Sequence, residues 1–102
     1  MSRMTHNILF RAFSNEIRRE ILQTLERHER CVNEIVKELK YDQTTISHNL
    51  RYLNECRLVF VHKRGKQRIY KINERTVRPL MKLIDKHLQE MEEDIKKNFN
   101  ID

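Results

Sequence analysis

Gln43, Thr44, Thr45, Ser47, His48 and Arg51 crowd into DQTTISHNLRYLNECRL, residues 42–58. Their hydroxyl, amide, imidazole and guanidinium groups suit hydrogen bonds to base edges and phosphate oxygens. An ordinary solvated helix face would carry Glu and Lys instead. Directly downstream, VFVHKRGKQRIYKI sets Lys63, Arg64, Lys66 and Arg68 around Gly65. Residues 57–71 hold six basic side chains and no acid. Such a stretch attracts a polyanion.

Elements must hold these groups in place. Asp42 is a good N-cap, and its charge favours a helix N-terminus. From it, Ile46, Leu50 and Leu53 recur at i, i+4 and i+7, which fixes the inward face of a helix. Thr44, Ser47, His48 and Arg51 then fall on the opposite face, with Gln43 at the exposed start. Leu58–Arg64 and Gln67–Ile72 read as two strands joined through Gly65. Upstream, the spacing predicts a helix from about Arg3 to Phe13, with Ile8, Leu9, Ala12 and Phe13 on one side. Ser14 then stands as N-cap of a second helix, Asn15 to about Arg27, with Ile17, Ile21, Leu22 and Leu25 inward. A very short strand at Cys31-Val32 and a third helix near Asn33–Leu39 follow.

The last segment, from about Arg75 or Pro79 to Lys97, carries Val77, Leu80, Met81, Ile84, Leu88, Met91 and Ile95 in one stripe. That stripe exceeds what a small helical core needs to cover. The surplus predicts packing on a second copy through Leu80, Ile84, Leu88 and Met91.

The 102 residues suffice for one domain with a modest core, and a single Gly and a single Pro imply short connections. Residues 1–72 carry 15 Lys/Arg against 8 Asp/Glu, and residues 73–102 carry 6 against 7. The basic part therefore faces a polyanion and the remainder does something else. No apolar run is long enough to span a membrane, and no secretory segment follows Met1, so a cytoplasmic location is expected. The cysteines, Cys31 and Cys56, do not form a disulfide framework. No phosphate loop, nucleophile elbow or paired carboxylates appear, so no enzyme activity, cofactor or small-molecule substrate is expected.

The order of elements is that of a winged helix-turn-helix: mainly α, with a small β-hairpin wing and a long C-terminal helix. The residues also resemble one family, the ArsR/SmtB-type repressors, over about residues 8–72. FSNEIRREILQTL (Phe13–Leu25) is similar to the family's opening, and ERCVNEIVKEL (Glu29–Leu39) to its third helix. DQTTISHNLRYLNECRLV (Asp42–Val59) resembles its recognition helix, and RGKQRIYKI (Arg64–Ile72) its wing. The resemblance implies a homodimeric regulator of double-stranded DNA, with residues 14–72 as DNA-binding core. Residues 1–13 and 75–98 would be the dimerisation helices, which brings Ile8, Ala12 and Phe13 into the interface. Many members sense metals through Cys-Val-Cys in the third helix; here the sequence is Cys31-Val32-Asn33, and a lone thiolate is a weak soft-metal site. The family's other site uses paired ligands in the last helix. Asp85-Lys86-His87 matches the first pair, but Asn98 stands where the second belongs.

The expectation is a sequence-specific, homodimeric repressor on an inverted repeat, independent of a thiolate metal site. Gln43, Thr44, Thr45, Ser47, His48, Arg51, Lys63, Arg64, Lys66 and Arg68 would touch DNA. His87, Glu90 and Asp94, at i, i+3 and i+7, leave a metal-responsive regulator as the alternative; a winged-helix protein-interaction module is the alternative of another class.

Overall fold

Asn15 divides the first two helices of the chain. In the computed structural model, which describes residues 2–99, α1 spans Arg3–Ser14 and α2 spans Glu16–Arg27. The Oδ1 of Asn15 accepts the Arg18 N–H at 2.9 Å and caps α2. Ser14, the expected cap, is instead the last residue of α1, its hydroxyl turned back to the Arg11 carbonyl. Asn is at least as good a cap as Ser, so one residue further on the helix starts equally well.

The strand β1 is Arg30–Cys31, one residue earlier than the sequence suggested, and Val32 already belongs to α3, Val32–Leu39. Lys40 ends α3 in the left-handed conformation (φ 63°), its N–H bonded to the Val36 carbonyl. That sharp exit turns the chain into α4, Gln43–Glu55, after only Tyr41 and the cap Asp42. Arg57 ends α4 in the same way (φ 60°), with the Arg57 N–H on the Asn54 carbonyl and the Leu58 N–H on the Leu53 carbonyl. This double closure satisfies helix-end carbonyls that glycine usually serves. The Asn73 side chain donates to the Arg57 carbonyl at 2.9 Å and steadies the turn.

The wing is β2, Val59–Arg64, and β3, Gln67–Ile72, paired antiparallel from Val59↔Ile72 to Arg64↔Gln67. Gly65 takes φ +63° in the tight connection, where an L side chain would be strained. The sheet has a third strand. β1 pairs with β3, Arg30 opposite Tyr70 and Cys31 opposite Ile69, giving the order β1-β3-β2.

Ile21, Leu22, Ile35, Ile46, Leu50, Leu53, Leu58 and Val59 are fully buried and form one core under α2, α3, α4 and the wing's base. The final helix, α5, is Val77–Phe99, with Pro79 in its first turn, where its missing N–H costs nothing. Val77 and Met81 are buried, and Leu80 and Ile84 are half-buried. Beyond them Leu88, Met91 and Ile95 remain 43, 43 and 40 % exposed. The apolar stripe thus outruns the core of its own chain. On α1, Ile8 is 42 % exposed, whereas Ala12 is fully buried in the same core. Ala12 therefore has no surface to offer a partner, a correction to its expected interface role; Phe13 is half-buried against the core.

Candidate nucleic-acid interface

The start of α4 is fixed by Asp42, whose Oδ1 accepts the Thr45 N–H at 2.7 Å. That backbone hydrogen bond holds the Asp42 carboxyl below the usual carboxylate range. With Ile46, Leu50 and Leu53 fully buried, helical geometry turns the other side outward. Gln43, Thr44, Ser47, His48 and Arg51 are all exposed there. Thr45 is half-buried on a flank and stands apart from that row. Among the described residues Arg51 pairs only with Glu55, 3.5 Å away in an exposed i,i+4 contact. Such pairs are weak, so its guanidinium is available to phosphate.

One flank of α4 meets the wing in a cleft of about 500 Å³. Gln43, Ser47, Arg51 and Asn54 line it from α4, and Val61, Arg68 and Tyr70 from the strands. The structure therefore brings Arg68 to the α4 residues. Lys63, Arg64 and Lys66 lie outside that cleft, exposed at or beside the hairpin tip. Asn54 was missed from the sequence; it follows Ser47 at i+7 on the same flank, and that spacing was its signal.

Arg64 is not equivalent to its neighbours. Its Nη2 donates to Glu29 at 2.5 Å, and His62 Nε2 lies 3.3 Å from the same carboxylate. These two contacts, that of Arg64 foremost, hold the Glu29 carboxyl below its ordinary range. Glu29 enters from the loop before β1, too far away in sequence for spacing to reveal it.

The other flank of α4 faces α1 and α2 and carries polar groups that the sequence reading passed over. Asn49 is only 5 % exposed; its Nδ2 donates to the Thr45 carbonyl and its Oδ1 accepts from Arg18. Tyr52 lies under the Arg18 guanidinium, and its hydroxyl donates to the Ile8 carbonyl at 2.8 Å. Asn49, Tyr52 and Cys56 recur at i, i+3 and i+7, a second seam beside the aliphatic one. Cys56 is half-buried where this seam meets α1, and desolvation pushes its thiol pKa up.

Among the described residues no three His, Cys, Asp or Glu side chains converge as metal ligands. Cys31 is buried at the N-terminus of α3, where its backbone N–H donates to Glu34 at 3.0 Å. His87, Glu90 and Asp94 are exposed along α5.

Residues 15–60, from the α2 cap into β2, match the family described as bacterial regulatory protein, arsR family. An uncharacterised HTH-type transcriptional regulator of Methanocaldococcus jannaschii is 38 % identical over 78 residues, covering 76 % of this chain and 88 % of the relative. The chain belongs to the ArsR family. A transcriptional repressor SmtB homolog of Synechocystis is 31 % identical to this regulator over 81 residues, which is 79 % of the chain and 61 % of the relative. Among solved structures, the homodimeric winged helix-turn-helix DNA-binding domain of a possible ArsR-family regulator from Mycobacterium bovis superposes with a TM-score of 0.77 at 29 % identity. That superposition covers 84 % of this chain and 80 % of the other. The regulator is a DNA-binding transcription factor with the winged-helix fold, in a family of regulators rather than enzymes.

Proposed function

We propose that this ArsR-family regulator is a homodimeric repressor that reads an inverted repeat, with α4 in the major groove and the wing on the flanking backbone. The observation that carries the reading is the exposed row Gln43, Thr44, Ser47, His48 and Arg51, set opposite a fully buried apolar face and continuous with a cleft shared with Arg68. Short polar side chains on a rigidly seated helix discriminate base edges, while solvated cations supply affinity without sequence preference. Lys63 and Lys66 fill the second role, Arg64 in part, and Thr45 serves as an N-terminal backbone donor more than as a base contact.

Assembly through α5 is favoured by the exposed Leu88, Met91 and Ile95, with Ile8 of α1 as the second element. The Mycobacterium bovis neighbour is described as a homodimer. Two-fold symmetry of the protein matches two-fold symmetry of the operator, with half-sites one helical turn or a multiple apart. The regulator works without a thiolate metal, since Asn33 stands where the metal-sensing pattern has a second Cys and a lone thiolate holds soft metals poorly. A cytoplasmic place for the protein accords with a DNA partner; among the described residues no helix is long and apolar enough to cross a membrane.

Selection of source-genome fragments by the purified protein, followed by gel shifts with salt titration, tests the reading. Enrichment of an inverted repeat, bound as a two-to-one complex, is expected. Retention of all fragments with equal affinity would leave α4 without a reading role.

A further inference from the structure

Among the described residues Arg18 is the cation whose guanidinium is shared between an amide, a backbone carbonyl and an aromatic face. It sits in the first turn of α2, and its side chain reaches back between α1 and α4. Its Nη1 donates to Asn49 Oδ1 on α4 at 3.0 Å, and its Nη2 donates to the Arg11 carbonyl on α1 at 2.8 Å. Its guanidinium lies 4.1 Å from the centroid of the Tyr52 ring, while the Tyr52 hydroxyl binds the Ile8 carbonyl of α1. Its Nε is buried without a partner. No carboxylate lies within ion-pairing distance of it among the described residues.

A partly buried cation held only by neutral acceptors and an aromatic face is a costly arrangement. An aliphatic side chain would fill the space between three helices more cheaply. What the guanidinium adds is direction. Ile46, Leu50 and Leu53 seat α4 on the core and fix which face is buried, but aliphatic contacts carry no hydrogen-bond directionality to set the helix's fine rotation. A planar fork that binds Asn49 and stacks on Tyr52 fixes that rotation. The same side chain binds Arg11, so α4 is referred to α1 and not only to the core.

We propose that Arg18 is a positioning residue that sets the rotation of the reading helix relative to α1, through Asn49 and Tyr52. It touches no DNA itself, being on the flank of α4 opposite the wing cleft. The inference rests on the reading of α4 as the base-contacting helix. It adds that discrimination between operator and other DNA depends on a cluster outside the DNA-facing surface.

The test uses the full-length chain and the operator fragment it selects, with a random-sequence duplex of equal length as control. Arg18→Lys keeps the charge and removes fork and stack; Tyr52→Phe removes a single hydroxyl; Asn49→Ala removes the amide. For Arg18→Lys, operator affinity is expected to fall about tenfold or more while random-duplex affinity stays within about twofold, because phosphate contacts tolerate rotation and base contacts do not. Asn49→Ala is expected to lose the same discrimination, with little further loss on combination with Arg18→Lys. Tyr52→Phe, the variant least able to disturb folding, is expected to lower the operator-to-random ratio by a smaller factor, with an unchanged thermal midpoint. A merely structural role would lower both affinities together, in step with the melting temperature, and would overturn the proposal. An unchanged ratio in all three variants, with a wild type that discriminates, would also overturn it while leaving the DNA-reading assignment intact. A wild type that does not discriminate would overturn both.

Discussion

Replacing Glu29 by Gln should strengthen binding to DNA of any sequence, by releasing Arg64 from its carboxylate. Glu29 and Arg64 are 36 and 64 % exposed at their side chains, so their 2.5 Å contact competes with solvent and is of modest strength. A phosphate gives the same guanidinium a comparable partner. Each cation that neutralises a phosphate contributes about 0.9 to the slope of log affinity against log salt. In a dimer with both wings on DNA, one such residue contributes about 1.8, or roughly a twelvefold affinity change between 50 and 200 mM salt. Lys66→Gln, at the free tip, should therefore flatten the slope by nearly that amount. Arg64→Gln should flatten it clearly less in the wild-type background, and by the full amount in the Glu29→Gln background. Fluorescence anisotropy on a labelled random duplex across a salt series measures all four values. An equal effect of Arg64→Gln in both backgrounds would refute the competition. No effect of any tip substitution would take the wing off the backbone altogether.

Four further outcomes are expected. Gln43→Ala and His48→Ala should each cost about 1–3 kcal/mol on the selected operator and much less on random DNA; equal losses would deny them a reading role. Leu88→Asp, or Ile84→Asp nearer the body, would set an unpaired carboxylate in the proposed interface, so light scattering should show a monomer and operator binding should fail with it. Titrating the protein–operator complex with As(III), Cd(II) or Zn(II) should not release DNA; release at stoichiometric metal, abolished by Cys31→Ser or His87→Ala, would make the protein a metal sensor. Asp42 is held at a lower pKa by its cap than in the unfolded chain, so its contribution is present above the ordinary carboxylate range and is lost as pH falls through the folded value. Protection of the Thr45 amide from hydrogen exchange should therefore weaken in acid, below about pH 4, for the wild type but not for Asp42→Asn, which caps without titrating.

The elements on this chain announce themselves because each carries its period and its punctuation. Ile46, Leu50 and Leu53 behind Asp42 specify α4, and strand-like runs on either side of Gly65 specify the wing. The exposed row on α4 follows from the same arithmetic. What the periods do not carry is contact between distant parts. Asn49 falls on the edge of the inward arc, where a polar residue fits either solvent or a buried partner, and only the folded chain places Arg18 beside it. Glu29 meets Arg64 across 35 positions, and β1 joins β3 through two residues, too few to show any alternation. Ala12 was assigned to the interface with Ile8 and Phe13 through the family resemblance, whereas the folded chain buries it in its own core.

The third strand also bears on how the wing would meet DNA in the proposed complex. Pairing of Arg30 and Cys31 with Tyr70 and Ile69 clamps the hairpin near the middle of β3. Beyond that clamp only Lys63, Arg64, Gly65, Lys66, Gln67 and Arg68 project as a two-stranded tip. In the proposed complex, the loss of conformational freedom on binding would be confined to that tip, at about 1–2 kcal/mol for each residue that must become fixed. The remainder of the wing is already ordered, so in the proposed complex it would carry the tip cations to the backbone on a fixed base.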